Sequence, residues 1–108
     1  MELSQKKCVA CEGDMPPLNA VEANVLLKQV RGWTLANDCK RISKSFTFPD
    51  FAGAMAFANE IAAVAEEEGH HPNLGISWGR VEVELSTHAI KGLSENDFIL
   101  AAKIDQLL

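Results

Sequence analysis

Residues 66–98 read EEEGHHPNLGISWGRVEVELSTHAIKGLSENDF, and the order of signals in this stretch decides the fold. Gly69 stops a helix and Pro72 forbids its resumption. A short hairpin follows. Ile76–Trp78 and Val81–Thr87 are predicted as its strands, with Gly79-Arg80 as a two-residue turn. Val81, Val83 and Leu85 alternate with Glu82, Glu84 and Ser86, the pattern of a sheet with one covered and one polar face. Ser94 then caps another helix, with Asp97 at the position that closes a capping box.

Working outward, the helix before Gly69 begins at Pro49-Asp50, with Asp50 as its cap. Phe51, Met55, Ala58, Ile61, Ala62 and Ala65 form its predicted buried stripe. Upstream lie two strand signals, Trp33–Ala36 and Arg41–Phe48, joined by a turn around Asn37-Asp38. Ile42, Phe46 and Phe48 share one face, with Lys44 breaking the row. A first helix is predicted over residues 20–30, capped by Asn19 with Glu22 three residues later. Its expected apolar stripe is Val21, Val25, Leu26 and Val30, and Gly32 stops it. The last helix carries Phe98, Ala101, Ala102 and Ile104 to Leu108. The order α-β-β-α-β-β-α predicts an α+β, two-layer domain. Its four-stranded, mainly antiparallel sheet is covered by helices on one face. Residues 1–18, punctuated by Gly13, Pro16 and Pro17, are expected to be an irregular extension of the 19–108 domain.

A chain of 108 residues fits one domain and only just supplies a workable core. A homodimer or homotetramer is the expected supplement. The net charge is -5 and no basic cluster exists, which argues against nucleic-acid or anionic-membrane partners. No apolar run reaches the roughly 20 residues of a membrane span, and no signal-peptide core is seen, so a cytoplasmic location is expected. Cys8, Cys11 and Cys39 are an odd number, unsuited to a disulfide framework. Cys8-x-x-Cys11 has zinc-ligand spacing, but no second pair follows and no metal site is expected.

All three histidines lie between positions 70 and 88. His70 and His71 follow the helix stop, and His88 follows the last strand. Imidazole titrates near neutrality, so such a group can both give and take protons. Glu66 stands four residues before His70, an i to i+4 pair that would orient the ring. Glu66, Glu67 and Glu68 also crowd a helix C-terminus, where carboxylates are disfavoured. Ordinary readings stand beside these. Surface histidines are usually solvated, Glu67 and Glu68 fit a solvated face, and Asp97 fits a helix cap. Trp78 and Phe46 fit a core.

The same stretch resembles the pterin-4a-carbinolamine dehydratases. The resemblance rests on Glu66, His70-His71-Pro72, Trp78, Ser86-Thr87-His88, Gly92-Leu93-Ser94 and Asp97, and it extends over residues 19–105. It implies elimination of water from a 4a-hydroxytetrahydropterin, recycling the cofactor of aromatic amino-acid hydroxylases without metal or other cofactor. On this reading His70 and His88 are the acid–base pair, with Glu66 supporting His70. His71, Pro72, Trp78, Ser86, Thr87 and Asp97 are the substrate-binding candidates. One departure is Leu74, where relatives often have Trp; the resemblance places it at a pocket wall. The cysteine-containing N-terminus looks like that of bacterial members. Two alternatives remain open: a dimerisation module of the transcriptional-cofactor type, and a member redirected to a pterin of molybdenum-cofactor metabolism.

Overall fold

The computed structural model describes residues 2–9 and 15–108. Cys11 lies outside the described residues. Among the described residues three helices, α1 (Ala20–Leu27), α2 (Phe51–Glu68) and α3 (Glu95–Asp105), accompany four strands. The strands are β1 (Thr34–Leu35), β2 (Ile42–Thr47), β3 (Asn73–Ser77) and β4 (Arg80–Leu85). They form one antiparallel sheet in the order β1-β2-β4-β3. The α+β class and the order of elements are those expected.

Register explains the two faces. Ile42 pairs with Leu85, Lys44 with Val83 and Phe46 with Val81, so these side chains share the covered face. Val81, Val83, Leu85 and Ile42 are buried there with Phe46. Lys44 no longer interrupts an apolar row without reason. Its ammonium bonds the Arg31 carbonyl at 2.9 Å and Asp105 Oδ1 at 2.8 Å, while Trp33 Nε1 donates to Asp105 Oδ2 at 3.0 Å. The other face carries Ser43, Ser45, Glu82 and Glu84.

Several local expectations shift. The first helix closes at Leu27, because Gln29 and Val30 bond back by three residues to Leu26 and Leu27. Val21 is 73% exposed and Val25 is exposed, whereas Ala23 and Val30 are buried. This short helix is apolar on more than one side, and packing chose the side where alanine permits close approach. In α2 the buried set is Ala54, Phe57, Ala58, Ile61 and Ala65, with Phe51 exposed. The second hairpin turns at Trp78-Gly79, one residue earlier than predicted, since Ser77 pairs with Arg80. Gly79 supplies the positive φ of +71° as the second turn residue, not the first. Among the described residues no helix is long and apolar enough to cross a membrane.

The N-terminal segment is integral to the packing. A 3-10 turn at Leu3–Gln5 lies against α3, and Leu3 joins the core cluster.

Candidate active site

The end of α2 sets the first two histidines. Gly69 adopts φ +66° and leaves the helix, as a left-handed cap does. His70 therefore no longer stands one helical turn beyond Glu66. Its Nε2 lies 2.6 Å from Asp97 Oδ1 on α3. Glu66 instead meets His71, with 2.5 Å between Oε2 and Nε2, at an exposed position. The expected Glu66–His70 pair is thus replaced by Glu66–His71 and Asp97–His70.

Asp97 is fully buried, at 0% exposure. Its two oxygens divide the work. Oδ2 accepts from the Ser94 backbone N–H at 3.0 Å and from Thr87 Oγ1 at 2.8 Å, and Oδ1 faces His70. Thr87 Oγ1 also lies 2.8 Å from Ser94 Oγ. A carboxylate can only accept, so His70 carries its proton on Nε2 in this bond. The helix cap and the histidine anchor are one side chain.

His88 is placed by a tight loop. Thr87 and Gly92 bond each other through both backbone pairs, at 2.8 and 3.4 Å, and close the loop 88–91. Gly92 is required there, because a Cβ would sit 2.7 Å from Pro17 Cβ. His88 opens the 3-10 turn His88–Ile90.

These elements meet at a cleft of about 510 Å³. It is lined by His70, His71 and His88, with Ser86 and Thr87 between them in sequence. Val9, Glu68, Gly69, Ala89 and Asn96 complete the lining. Asp97 stands behind His70, and Glu66 reaches the cleft through His71. Pro72 is half-buried and does not line it. Trp78, 72% exposed, sits at the far tip of the β3–β4 hairpin and is not brought to it. Leu74 pairs with Val83 and packs on the core, so it forms no wall of the cleft.

The neighbouring carboxylate, Glu68, was expected on a solvated face with Glu67. Its side chain is 5% exposed. Oε1 accepts the Cys8 backbone N–H at 2.8 Å, and Oε2 lies 3.6 Å from Lys103 Nζ. The Cys8 hydrogen bond, aided by Lys103, holds this carboxyl below its usual range against the opposing effect of burial. Burial, together with Glu68, pushes the Cys8 thiol up to about 12. Cys8 is therefore a protonated thiol at neutral pH, not a nucleophile. The signal for Glu68 was the crowding of carboxylates at a helix C-terminus. Val9 and Asn96 carried no local signal, since their role depends on a contact 87 residues apart in sequence.

The sequence matches the family model described as pterin 4 alpha carbinolamine dehydratase over residues 16–107. The chain belongs to that family. A Rickettsia canadensis protein bearing the dehydratase family's name is 53% identical, with 95% of this chain and 94% of the relative covered. A Methylococcus capsulatus protein named for the family is 47% identical, covering 97% and 92%. Among solved structures, the transcriptional coactivator/pterin dehydratase from Brucella melitensis is 34% identical with a TM-score of 0.79, covering 84% of this chain and 97% of that one. A pterin dehydratase-like protein identified as a RuBisCO assembly factor in the alpha-carboxysome is 29% identical, with a TM-score of 0.62, covering 71% and 89%. The proteins this chain resembles thus carry descriptions that include dehydration, coactivation and assembly.

Proposed function

We propose that this chain is a 4a-hydroxytetrahydropterin dehydratase. The observation that carries the reading is the meeting of three imidazoles at one cleft, with His70 held by the buried Asp97. The reaction breaks the C4a–O bond and releases the hydroxyl as water. The N5 proton leaves, and its bonding pair forms the C4a=N5 double bond of the quinonoid dihydropterin. One group must protonate the departing hydroxyl and another must take the N5 proton.

His70 and His88 are the two proton carriers in this reading. Asp97 keeps the His70 ring in one orientation and steadies it when it is cationic, as a buried carboxylate does behind a catalytic histidine. His71 binds and orients the pterin, with Glu66 bracing it. Ser86 and Thr87 supply polar contacts between the histidines. The substrate's own electrons make the new double bond, so proton transfer suffices.

The deciding experiment supplies freshly generated 4a-hydroxytetrahydropterin and follows quinonoid product. His70→Ala and His88→Ala are each expected to slow turnover by about 100-fold or more, the scale of acid–base catalysis. Variants as fast as the parent would refute the assignment. The likeness to an assembly factor and a coactivator favours one second reading, a binding module. It is the outcome if the parent gives no rate above the uncatalysed reaction.

A further inference from the structure

The cleft exposes more apolar than polar surface, yet few of its lining side chains are pure hydrocarbon. Among the described residues that line it, Val9 and Ala89 have the apolar side chains. A flat heterocycle needs an apolar wall as well as hydrogen-bonding groups, since small-molecule sites bury most of their ligand against hydrocarbon. Neither Trp78 nor Leu74 lines this cleft.

Val9 comes from a segment with no helix or strand of its own at residues 6–9. Hydrogen bonds fix it instead. The Val9 backbone N–H donates to Asn96 Oδ1 at 3.0 Å, and Asn96 Nδ2 donates to the Val9 carbonyl at 2.5 Å. The Cys8 N–H donates to Glu68 Oε1 at 2.8 Å, and Lys6 pairs with Glu95 at 3.1 Å. Asn96 is buried, as is the Glu68 carboxylate. Burying an amide and a charge costs free energy unless their bonds compensate. Here those bonds go to the backbone beside a valine that is itself 67% exposed. The arrangement holds an exposed apolar side chain in place at the cleft, which core packing does not require. Asn96 and Asp97 are adjacent, so one turn of α3 sets both Val9 and His70.

We infer that Val9 is an apolar wall of the substrate site, against which the ring system lies, and that Asn96 and Glu68 are positioning residues for it. The inference rests on the pterin-site reading and gives the N-terminal strap a part in substrate binding.

The test uses the full chain, with two readouts. One is kcat and KM on 4a-hydroxytetrahydropterin. The other is the Kd of oxidised biopterin, an unreactive fluorescent probe, from fluorescence quenching. Val9→Ser and Asn96→Ala are expected to raise KM and Kd by about tenfold, the scale of a lost apolar contact. The kcat pH profile should keep its shape, and Val9→Leu should restore tight binding. If Asn96→Ala fails to fold, the Val9→Ser and Val9→Leu pair decides. Lowered thermal stability in Asn96→Ala with unchanged KM and Kd would reduce the strap to scaffolding and overturn the inference. A parent that binds and turns over pterin while Val9→Ser matches it overturns the wall alone. A parent that does neither removes the site reading and the wall together.

Discussion

Asp97 is the residue where two demands coincide. In sequence it reads as a capping-box acid, and that reading is correct for Oδ2. The other oxygen serves His70. Replacing Asp97 by Asn should slow turnover at least about tenfold, because an amide can also donate and would permit the wrong tautomer of His70. Stopped-flow measurement of product formation checks this, and a rate equal to the parent's would leave Asp97 as a cap only. Glu66→Gln should act mainly on KM, since its pair with His71 is exposed and such pairs contribute little. Glu68 belongs to the same scale. Its folded-state pKa is lowered, so its stabilising contribution is present above the unfolded value near 4.5 and is lost as pH falls through the folded value. Acid unfolding of Glu68→Gln should show a shallower loss of stability below pH 4.5 than the parent. Identical acid profiles would contradict the stabilisation of this carboxylate by the Cys8 N–H and Lys103.

At the scale of elements, the β3–β4 hairpin and the end of α2 aim the site. Gly79 needs its positive φ, and a Cβ there would lie 2.9 Å from the Phe48 carbonyl oxygen. The same junction carries a 2.8 Å bond from the Phe48 N–H to the Gly79 carbonyl, tying the hairpin to the entry of α2. Gly79→Ala should therefore destabilise the protein by more than about 1 kcal/mol, from left-handed strain plus the clash. Urea denaturation measures it, and an unchanged midpoint would mean the turn has relaxed. Gly69 differs, since nothing stands within 4 Å of its missing Cβ. Its importance is directional: the left-handed cap takes His70 off the helix and toward α3.

Across the whole molecule, exposed apolar groups are spread over several elements. Val21 and Val25 lie on α1, Phe51 opens α2, and Ile76 and Trp78 lie on the β3 edge and its turn. Among the described residues, no strand lies on the outer side of β3 in the sheet. An unpaired edge with neighbouring exposed hydrocarbon invites a second copy. Light scattering at micromolar concentration should report a dimer or tetramer mass; a clean monomer would rule out that assembly.

Much of this architecture was legible along the chain. The helix caps at Asn19, Asp50 and Ser94, the stop at Gly69 and the alternation Val81–Val83–Leu85 are local devices, and local physics specifies them. The clustering of His70, His71 and His88 was legible as a pattern, because the termini that carry them were predicted. Which carboxylate meets which histidine was not. Spacing favoured Glu66 with His70, yet one left-handed residue redirected the chain and let α3 supply Asp97. The buried face of α1 and the burial of Glu68 also depended on what packed against them. The opening stretch thus determined where the histidines stand and what surrounds them in sequence. Only tertiary structure could pair His70 with Asp97, 27 residues on, and Val9 with Asn96, 87 residues on, because such partners meet only when the sheet, α3 and the strap pack together.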